Sequence, residues 1–191
     1  MGGNNQALSL GVAGRESSLD FDLDYRKFIR HNRGYAVNFF NNRNVELEFD
    51  GRDNDVELVD GSDPWIHRLG GGLEYFHPLA KDFRGALGIT YQIVSVRDGV
   101  FSDELNSTDA LGNSLTINED GQDELLTLTY AAILDRRNQQ NNAYQGFRLV
   151  WQTDQSIPIG DASIFYNRLS VNYTQYIPIP LFGFTEGESN F

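Results

Sequence analysis

The chain has 191 residues, of which 40% are hydrophobic, and it carries a formal net charge of -12 and no cysteine. This acidic balance argues against nucleic-acid binding, which needs clustered Lys and Arg. The lack of cysteine excludes disulfides and thiolate metal sites. No stretch approaches the roughly 18 apolar residues of a transmembrane helix, so membrane residence would require amphipathic strands, whose mean hydropathy stays low.

From the N-terminus, apolar and polar residues alternate weakly at 7–12 and strictly at 19–26. In the second segment the odd positions are Leu19, Phe21, Leu23 and Tyr25, and the even positions are Asp20, Asp22, Asp24 and Arg26. Successive side chains of a strand point to opposite faces, so one face here is apolar and the other is charged. A helix would scatter both classes around its circumference. The segment is therefore predicted to be a strand.

Further alternating segments follow along the chain at 35–40, 65–76, 83–94, 125–134, 147–153 and 165–176. Several are long enough to cross a bilayer at a tilt, which takes about 9–11 residues. Strands of soluble proteins more often have about 5–6 residues. We predict an all-β fold, an antiparallel meander of about eight transmembrane strands.

The predicted connections alternate in length. Short ones lie at 27–33, 78–82 and 136–145, whereas long, acidic, Gly- and Asn-rich ones lie at 42–64 and 97–122. Bacterial barrels have short periplasmic turns and longer outer loops. If the chain starts in the periplasm, these three short turns fall inside and both long loops fall outside, and the connections near 14–17 and 157–161 are short outer loops. The acidic stretches 103–109 and 118–124 lack the spacing of an EF-hand and are interpreted as solvated outer loops.

The residues that carry chemistry show no catalytic pattern, and we expect the protein not to be an enzyme. Asp20, Asp22 and Asp24 share one strand face at about 7 Å spacing. Paired carboxylates could act in general acid–base catalysis or bind a hard cation, but a hydrated lumen wall is the preferred interpretation. His31 and the other two histidines, His67 and His77, show no ligand spacing. We predict no cofactor and no metal site.

Several stretches resemble a known family. Leu134-Asp135-Arg136-Arg137-Asn138 followed by Gly146 is similar to a periplasmic hairpin of pattern D-x-R-[DN]-x-P-x-x-P-x-x-G, with Gln140 and Ala143 at the proline positions. Similar matches occur at 14–16, 70–74, 83–88, 155–160 and 176–179. Together they resemble the barrel portion of the BamA-type outer-membrane assembly factors, the bacterial surface antigen superfamily, with cyanobacterial members most similar.

This resemblance implies that residues 1–191 form a partial transmembrane barrel domain, about the first half of a sixteen-strand barrel. The periplasmic POTRA domains, the V-R-G-[FY] lumen loop and the C-terminal barrel half are not recognised in the sequence. Phe83-Arg84-Gly85 looks like the lumen-loop motif but opens a strand after an inner turn. The residues predicted to face the lumen are Asp20, Asp22, Asp24, Arg26 and Arg84. The residues predicted to form the periplasmic turn are Asp135, Arg137, Asn138 and Gly146.

The implied function is insertion of outer-membrane proteins or polypeptide translocation. A weak seam between the first and last strands would template an incoming strand. Implied partners are the lipid bilayer, lipopolysaccharide, unfolded outer-membrane or secreted polypeptide clients, and the remaining barrel half with POTRA domains, but no nucleic acid. The location would be the bacterial outer membrane, although residues 1–6 do not resemble a signal peptide. We expect the chain to be a fragment or one piece of a larger assembly. Alternatives are a passive, porin-like or structural barrel and a soluble β-sandwich.

Overall fold

The structure is a computed structural model that describes residues 5–29, 33–45, 56–139, 141–160 and 164–178. Within these ranges the regular elements are all strands, and none of the described residues belongs to a helix that could cross a membrane. The strands are β1 Gln6–Arg15, β2 Ser18–Phe28, β3 Gly34–Val45, β4 Trp65–Ala80, β5 Phe83–Arg97, β6 Gln122–Asp135, β7 Gly146–Ile157 and β8 Asn167–Tyr176.

The eight strands form a single antiparallel sheet in the order β1-β2-β3-β4-β5-β6-β7-β8, so each strand pairs with its neighbours in the chain. This confirms the predicted fold class. Most strands extend beyond the predicted segments, and the turn predicted at 78–82 is shorter than expected. Pro78 lies inside β4, and only Lys81 and Asp82 form the turn. A register shift between Pro78 and Ala80 accompanies the proline, which has no N–H to give to a regular ladder.

Directly opposed residues of adjacent strands lie on the same face, so the register defines two rows across the sheet. One row consists of Leu10, Leu23, Phe39, Gly71, Tyr91, Leu126 and Ile157. Another consists of Ser9, Asp24, Asn38, Gly72, Thr90, Thr127 and Ser156. The face of the first row is called the apolar face below, and the face of the second row the polar face.

The apolar face is not covered by a second layer of the described structure. Leu10, Phe39 and Leu169 are 63%, 59% and 62% exposed, respectively. A continuous apolar surface of this extent is unusual for a soluble monomer and is typical of a surface that contacts lipid or another protein. The described strands form one sheet, so the sandwich alternative has no second sheet to bury this face.

The long connections supply a small buried cluster at one end of the sheet. Leu58, which follows β3 in the chain, is 1% exposed, and Val96 near the end of β5 is 2% exposed. Backbone hydrogen bonds link the connections to the strands and to each other, with the amide of Asn106 donating to Val96 and that of Ala110 to Glu57. The end of the sheet that carries these connections is called the loop end below, and the other the turn end.

Glycines in the middle of β4 allow the strands to crowd together on the polar face. A Cβ atom at Gly70 would lie 2.5 Å from Cζ of Phe40 and 2.6 Å from the carbonyl oxygen of Tyr91. A Cβ atom at Gly72 would lie 2.8 Å from side-chain oxygens of Asn38 and Thr90. Side chains at these two positions would overlap atoms of β3 and β5, so the register of the three strands depends on glycine.

We expect Gly70→Ala to lower the free energy of unfolding by about 1–3 kcal/mol, because the added methyl group overpacks this site. Gly88→Ala on β5 is the matched control, since its Cβ would lie 3.6 Å from the nearest atom, an ordinary contact distance. The control is expected to change stability by no more than about 0.5 kcal/mol. Urea unfolding of the protein folded in detergent measures both values, and equal stabilities would contradict the prediction.

Candidate functional site: the polar face, the β6–β7 turn and the sheet edges

The polar face carries the acidic residues of β2. Asp20 and Asp22 oppose Asn42 and Phe40 of β3, and Asp22 opposes Gly11 of β1. A Cβ atom at Gly11 would lie 3.7 Å from the Cβ atom of Asp22. Because Gly11 has no side chain, the Asp22 carboxylate has a small neighbour on the β1 side. Asp20 and Asp22 are half-buried. The register therefore places the predicted acids together on one face.

The remaining two residues of the predicted lumen set also lie on the polar face. Arg26 continues the series of β2 acids towards the turn end, where its guanidinium lies 5.7 Å from the ring centroid of Phe76. Arg84 opposes Pro78 next to the β4–β5 turn. Arg84 lies on a different part of the sheet from the β2 acids, so the five residues share a face without forming one site.

A buried polar network on the same face joins β6, β7 and β8, and sequence reasoning missed its centre. Asp154 is 3% exposed. Its carboxylate accepts hydrogen bonds from Thr129 Oγ1 at 2.8 Å, Gln152 Nε2 at 3.0 Å and Arg168 Nη2 at 2.8 Å. A buried carboxylate is stable only when paired and hydrogen-bonded, as here. The predicted strand 147–153 stops one residue short of Asp154, where Thr153 and Gln155 make the opposite face polar as well.

The four residues predicted to form a periplasmic turn come together at the β6–β7 connection. Arg137 donates to both carboxylate oxygens of Asp135, at 2.8 Å from Nε and 2.7 Å from Nη2. The Asn138 side-chain oxygen accepts from the amides of Tyr144 and Gln145, each at 3.1 Å. Bidentate pairing and local side-chain-to-backbone bonds of this kind fix a turn. Of the two positions where the family motif has proline, Ala143 is described and residue 140 lies outside the described residues.

Gly146 closes this turn for a steric reason. Its φ of 104° lies in the region that favours glycine, and a Cβ there would collide with the carbonyl oxygen of Arg136. Arg137 also connects the turn to the next strand. The pKa of Arg137 is raised, first by its hydrogen bond to Asp135 and also by a side-chain hydrogen bond to Tyr176 at the end of β8. The turn residues thus link three strands.

Two acids of the stretches 103–109 and 118–124, Asp109 and Asp123, are buried, which corrects their interpretation from the sequence, whereas the acids at 103, 104, 119 and 120 are exposed. Asp109 is 7% exposed and accepts hydrogen bonds from the amides of Leu111 at 2.9 Å and Asn113 at 2.7 Å. Asp123 accepts from two other amides of the same connection, those of Ile117 and Asn118. The two carboxylates order the connection. In the part of the chain that the structure describes, no group of three His, Cys, Asp or Glu residues could hold a metal ion.

The outer edges of the sheet are formed by β1 and β8. β1 pairs with β2 only, and β8 pairs with β7 only, among the described strands. All ten residues of β1 are exposed. One row of β1 backbone N–H and C=O groups is thus available for pairing with a further strand.

A single sheet with a polar and an apolar face, built from long antiparallel strands joined in a meander, is the wall of a transmembrane β-barrel. The Omp85 superfamily domain matches residues 1–185. The chain therefore belongs to the Omp85 superfamily. This membership supports an outer-membrane location and the general class of assembly or translocation barrels.

Comparison with solved structures gives the same fold. The crystal structure of BamA from Haemophilus ducreyi lacking POTRA domains 1–3 superimposes with a TM-score of 0.61 and 16% sequence identity. The alignment covers 91% of this chain and 32% of that chain, so this chain spans about a third of the length of the solved protein. At this identity the similarity concerns the fold alone. No curated protein sequence matches the chain.

We expect Gly146→Ala to destabilise the protein more than Gly112→Ala. Both glycines have positive φ, but a Cβ at Gly112 would meet no atom within 4 Å, so this control isolates the backbone cost of about 1–2 kcal/mol. At Gly146 the steric collision with the carbonyl oxygen of Arg136 adds to this backbone cost. Urea unfolding followed by the fluorescence of Trp151, on the adjoining strand β7, measures the difference. Equal losses would show that the turn relaxes without cost.

We expect the segment 109–113 to open in acid. Hydrogen bonds from Asn113, first from its side chain and then from its backbone, hold the pKa of Asp109 below its usual value near 3.8. The folded form is therefore stabilised by the charged carboxylate above that value, and this contribution is lost as the pH falls through the lower, folded-state pKa.

NMR shifts of the Leu111 and Asn113 amides during an acid titration measure this opening. Asp109→Asn should remove the acid-dependent transition, whereas Glu119→Gln, at an exposed acid of the same connection, should retain it. A transition that persists unchanged in Asp109→Asn would contradict the assignment.

Proposed function

We propose that the chain forms part of the wall of an outer-membrane barrel that inserts β-barrel precursors or translocates polypeptide. The observation that carries this proposal is the combination of a continuous, exposed apolar face with a polar opposite face on one antiparallel meander of long strands. The apolar face would contact lipid, and the polar face would line a water-filled lumen. Superfamily membership supports the role, and the similarity to cyanobacterial members stays a prediction.

The orientation follows from the connections. We infer that the turn end of the sheet, which includes the Asp135–Gly146 turn, lies in the periplasm and that the loop end lies outside. Asp20, Asp22, Asp24, Arg26 and Arg84 would then face the lumen. Charged groups separated along such a wall hydrate the lumen, so an unfolded polypeptide could pass without adhering to an apolar surface.

The proposed working part is the free edge of β1. An incoming strand would pair with the exposed backbone groups of β1 by β-augmentation, which recognises main chain and is therefore tolerant of client sequence. This mechanism is physical and needs no catalytic residue or cofactor. Clients would be unfolded outer-membrane proteins or secreted polypeptides.

Barrel closure requires pairing at both outer edges. Each backbone group left unpaired in hydrocarbon costs several kcal/mol, so neither edge would remain open to lipid. We infer that further strands, in a remaining barrel half of the kind found in the family, pair with β8 and meet β1 at a weak seam. POTRA domains and a V-R-G-[FY] lumen loop would belong to the same assembly.

Site-specific photocrosslinking tests the proposal. A photoreactive amino acid is placed at Ser9 on the β1 edge or, as the matched control, at Thr90 in the same polar row of the central strand β5. The chain is expressed in the outer membrane of a bacterium that also secretes a pulse-labelled porin precursor. We expect crosslinks to the precursor from position 9 and at least fivefold fewer from position 90.

The outcomes separate the alternatives. Crosslinks confined to position 9 support templating at β1. Ion conductance in planar bilayers without any precursor crosslink would replace the proposal by a passive, porin-like barrel. Recovery of the chain in the soluble fraction, with no heat-modifiable migration on a gel, would overturn the membrane location itself.

A further inference from the structure

The apolar face contains a preformed groove with Gly71 at its floor. The groove has a volume of about 550 Å³, and its walls are the side chains of Phe39, Leu69, Leu73, Ile89, Tyr91 and Ile93. Gly71 opposes Phe39 on β3 and Tyr91 on β5. The missing side chain in a row of large ones leaves the depression, which is called the Gly71 groove below.

The backbone keeps this groove open. A Cβ atom at Gly71 would lie 2.9 Å from the carbonyl oxygen of Asn38, closer than real Cβ atoms come to backbone atoms. A larger residue therefore cannot replace Gly71 without displacing β3. The walls stand on three strands joined by continuous ladders, β3, β4 and β5. The groove is a feature of the fold and not of one side-chain rotamer.

The occupant of the groove must be apolar and present within the bilayer. The lining offers almost no polar surface, and the walls Leu69 and Leu73 are 51% and 52% exposed on the face that would contact lipid. The volume falls in the range of about 300–1,000 Å³ that is typical of small-molecule sites. A hydrocarbon chain fits these conditions, because lipid acyl chains are the abundant apolar molecules at that depth.

A cation lies beyond the groove on the same face, towards the loop end of the strands. Arg43 is four residues from Phe39 along β3, or about 13 Å. Half of the hydrocarbon core is about 15 Å thick, so Arg43 would lie near the level of lipid headgroups. Its Nη1 donates to the carbonyl oxygen of Val100 at 2.7 Å, and its guanidinium lies 5.8 Å from the ring centroid of Phe101.

Arg43 forms no ion pair with a described residue, so its charge is available to an anion. Arg97 is paired with Asp103 at 3.0 Å, and Glu124 lies opposite Ile93 on the β6 side of the groove. The Nε group of Arg43 donates to the side-chain oxygen of Asn41 at 3.2 Å. The Nη2 group of Arg43 has no acceptor among the described residues, and guanidinium groups bind phosphate through such donors.

We propose that the Gly71 groove and Arg43 bind lipid A, with one acyl chain in the groove and a phosphate on the guanidinium. The inference rests on the proposed orientation, because the loop end then lies in the outer leaflet, where the lipid carries both phosphates and several chains. Gly71 is closer to the loop end of β4 than to its turn end, as an outer-leaflet chain requires. The exposed Phe101 would lie beside the bound headgroup.

Native mass spectrometry of the full chain, folded in detergent and titrated with lipid A, tests the proposal. Leu73→Phe should fill the groove, and Arg43→Gln should remove the phosphate contact. Each substitution is expected to weaken lipid A binding at least tenfold.

Leu169→Phe is the control for Leu73→Phe, since Leu169 is 62% exposed on the same face of the sheet, on β8, but lies outside the groove. Arg15→Gln, at an exposed arginine of β1, is the control for the second. Both controls should bind like the unsubstituted chain.

Two further arms make the result decisive. Phosphatidylglycerol supplies a phosphate and two chains, and binding as tight as that of lipid A would overturn the assignment to lipid A. Heat-modifiable migration checks that each variant folds, and Ile89→Phe, at the residue that opposes Leu73 on β5, replaces Leu73→Phe if the latter does not fold. Equal binding by all folded variants would overturn the inference and leave the proposed function intact, whereas failure of the unsubstituted chain to enter bilayers would overturn the proposed function.

Discussion

The structure depends on one constraint, which is that every backbone N–H and C=O group within hydrocarbon must be paired inside the protein. A meander meets this constraint through ladders between consecutive strands, and the described strands β1 to β8 are all joined in this way. The ladder fixes the register, and the register then fixes which side chains share a face. The polar wall, the apolar wall and the groove at Gly71 all follow from that register, as does the availability of the β1 edge.

Much of the fold could be predicted from the sequence, because apolar and polar residues alternate along a strand whose two faces lie in different environments. Residues 19–26 alternate strictly and lie within β2, and every other predicted segment overlaps a strand. The ends were less predictable. Pro78 suggested a turn, but a local register shift keeps it in β4. Around Asp154 both faces of β7 are polar, so the alternation that identifies a strand disappears while the strand continues.

The candidate site was predictable where its residues are close in sequence. Asp135, Arg137, Asn138 and Gly146 form one turn, so a linear motif can identify them. The network around Asp154 draws partners from three strands, and no local pattern reveals such a set. The acids of the β5–β6 connection resemble solvated loop residues by composition. Their role became apparent only from the amides that surround Asp109, because an aspartate in the sequence does not show whether its carboxylate is solvated or accepts backbone hydrogen bonds.

The neighbour-to-neighbour pairing of the strands also bears on how the chain folds. Closing a loop costs more conformational entropy as it lengthens, so hairpins β1–β2 and β4–β5, joined by two residues each, have the smallest closure costs. The connection between β5 and β6 is far longer, and its closure is offset in part by the hydrogen bonds that order it. Low separation between paired residues favours rapid formation. The wall can thus grow one hairpin at a time, each new strand using the previous one as its template.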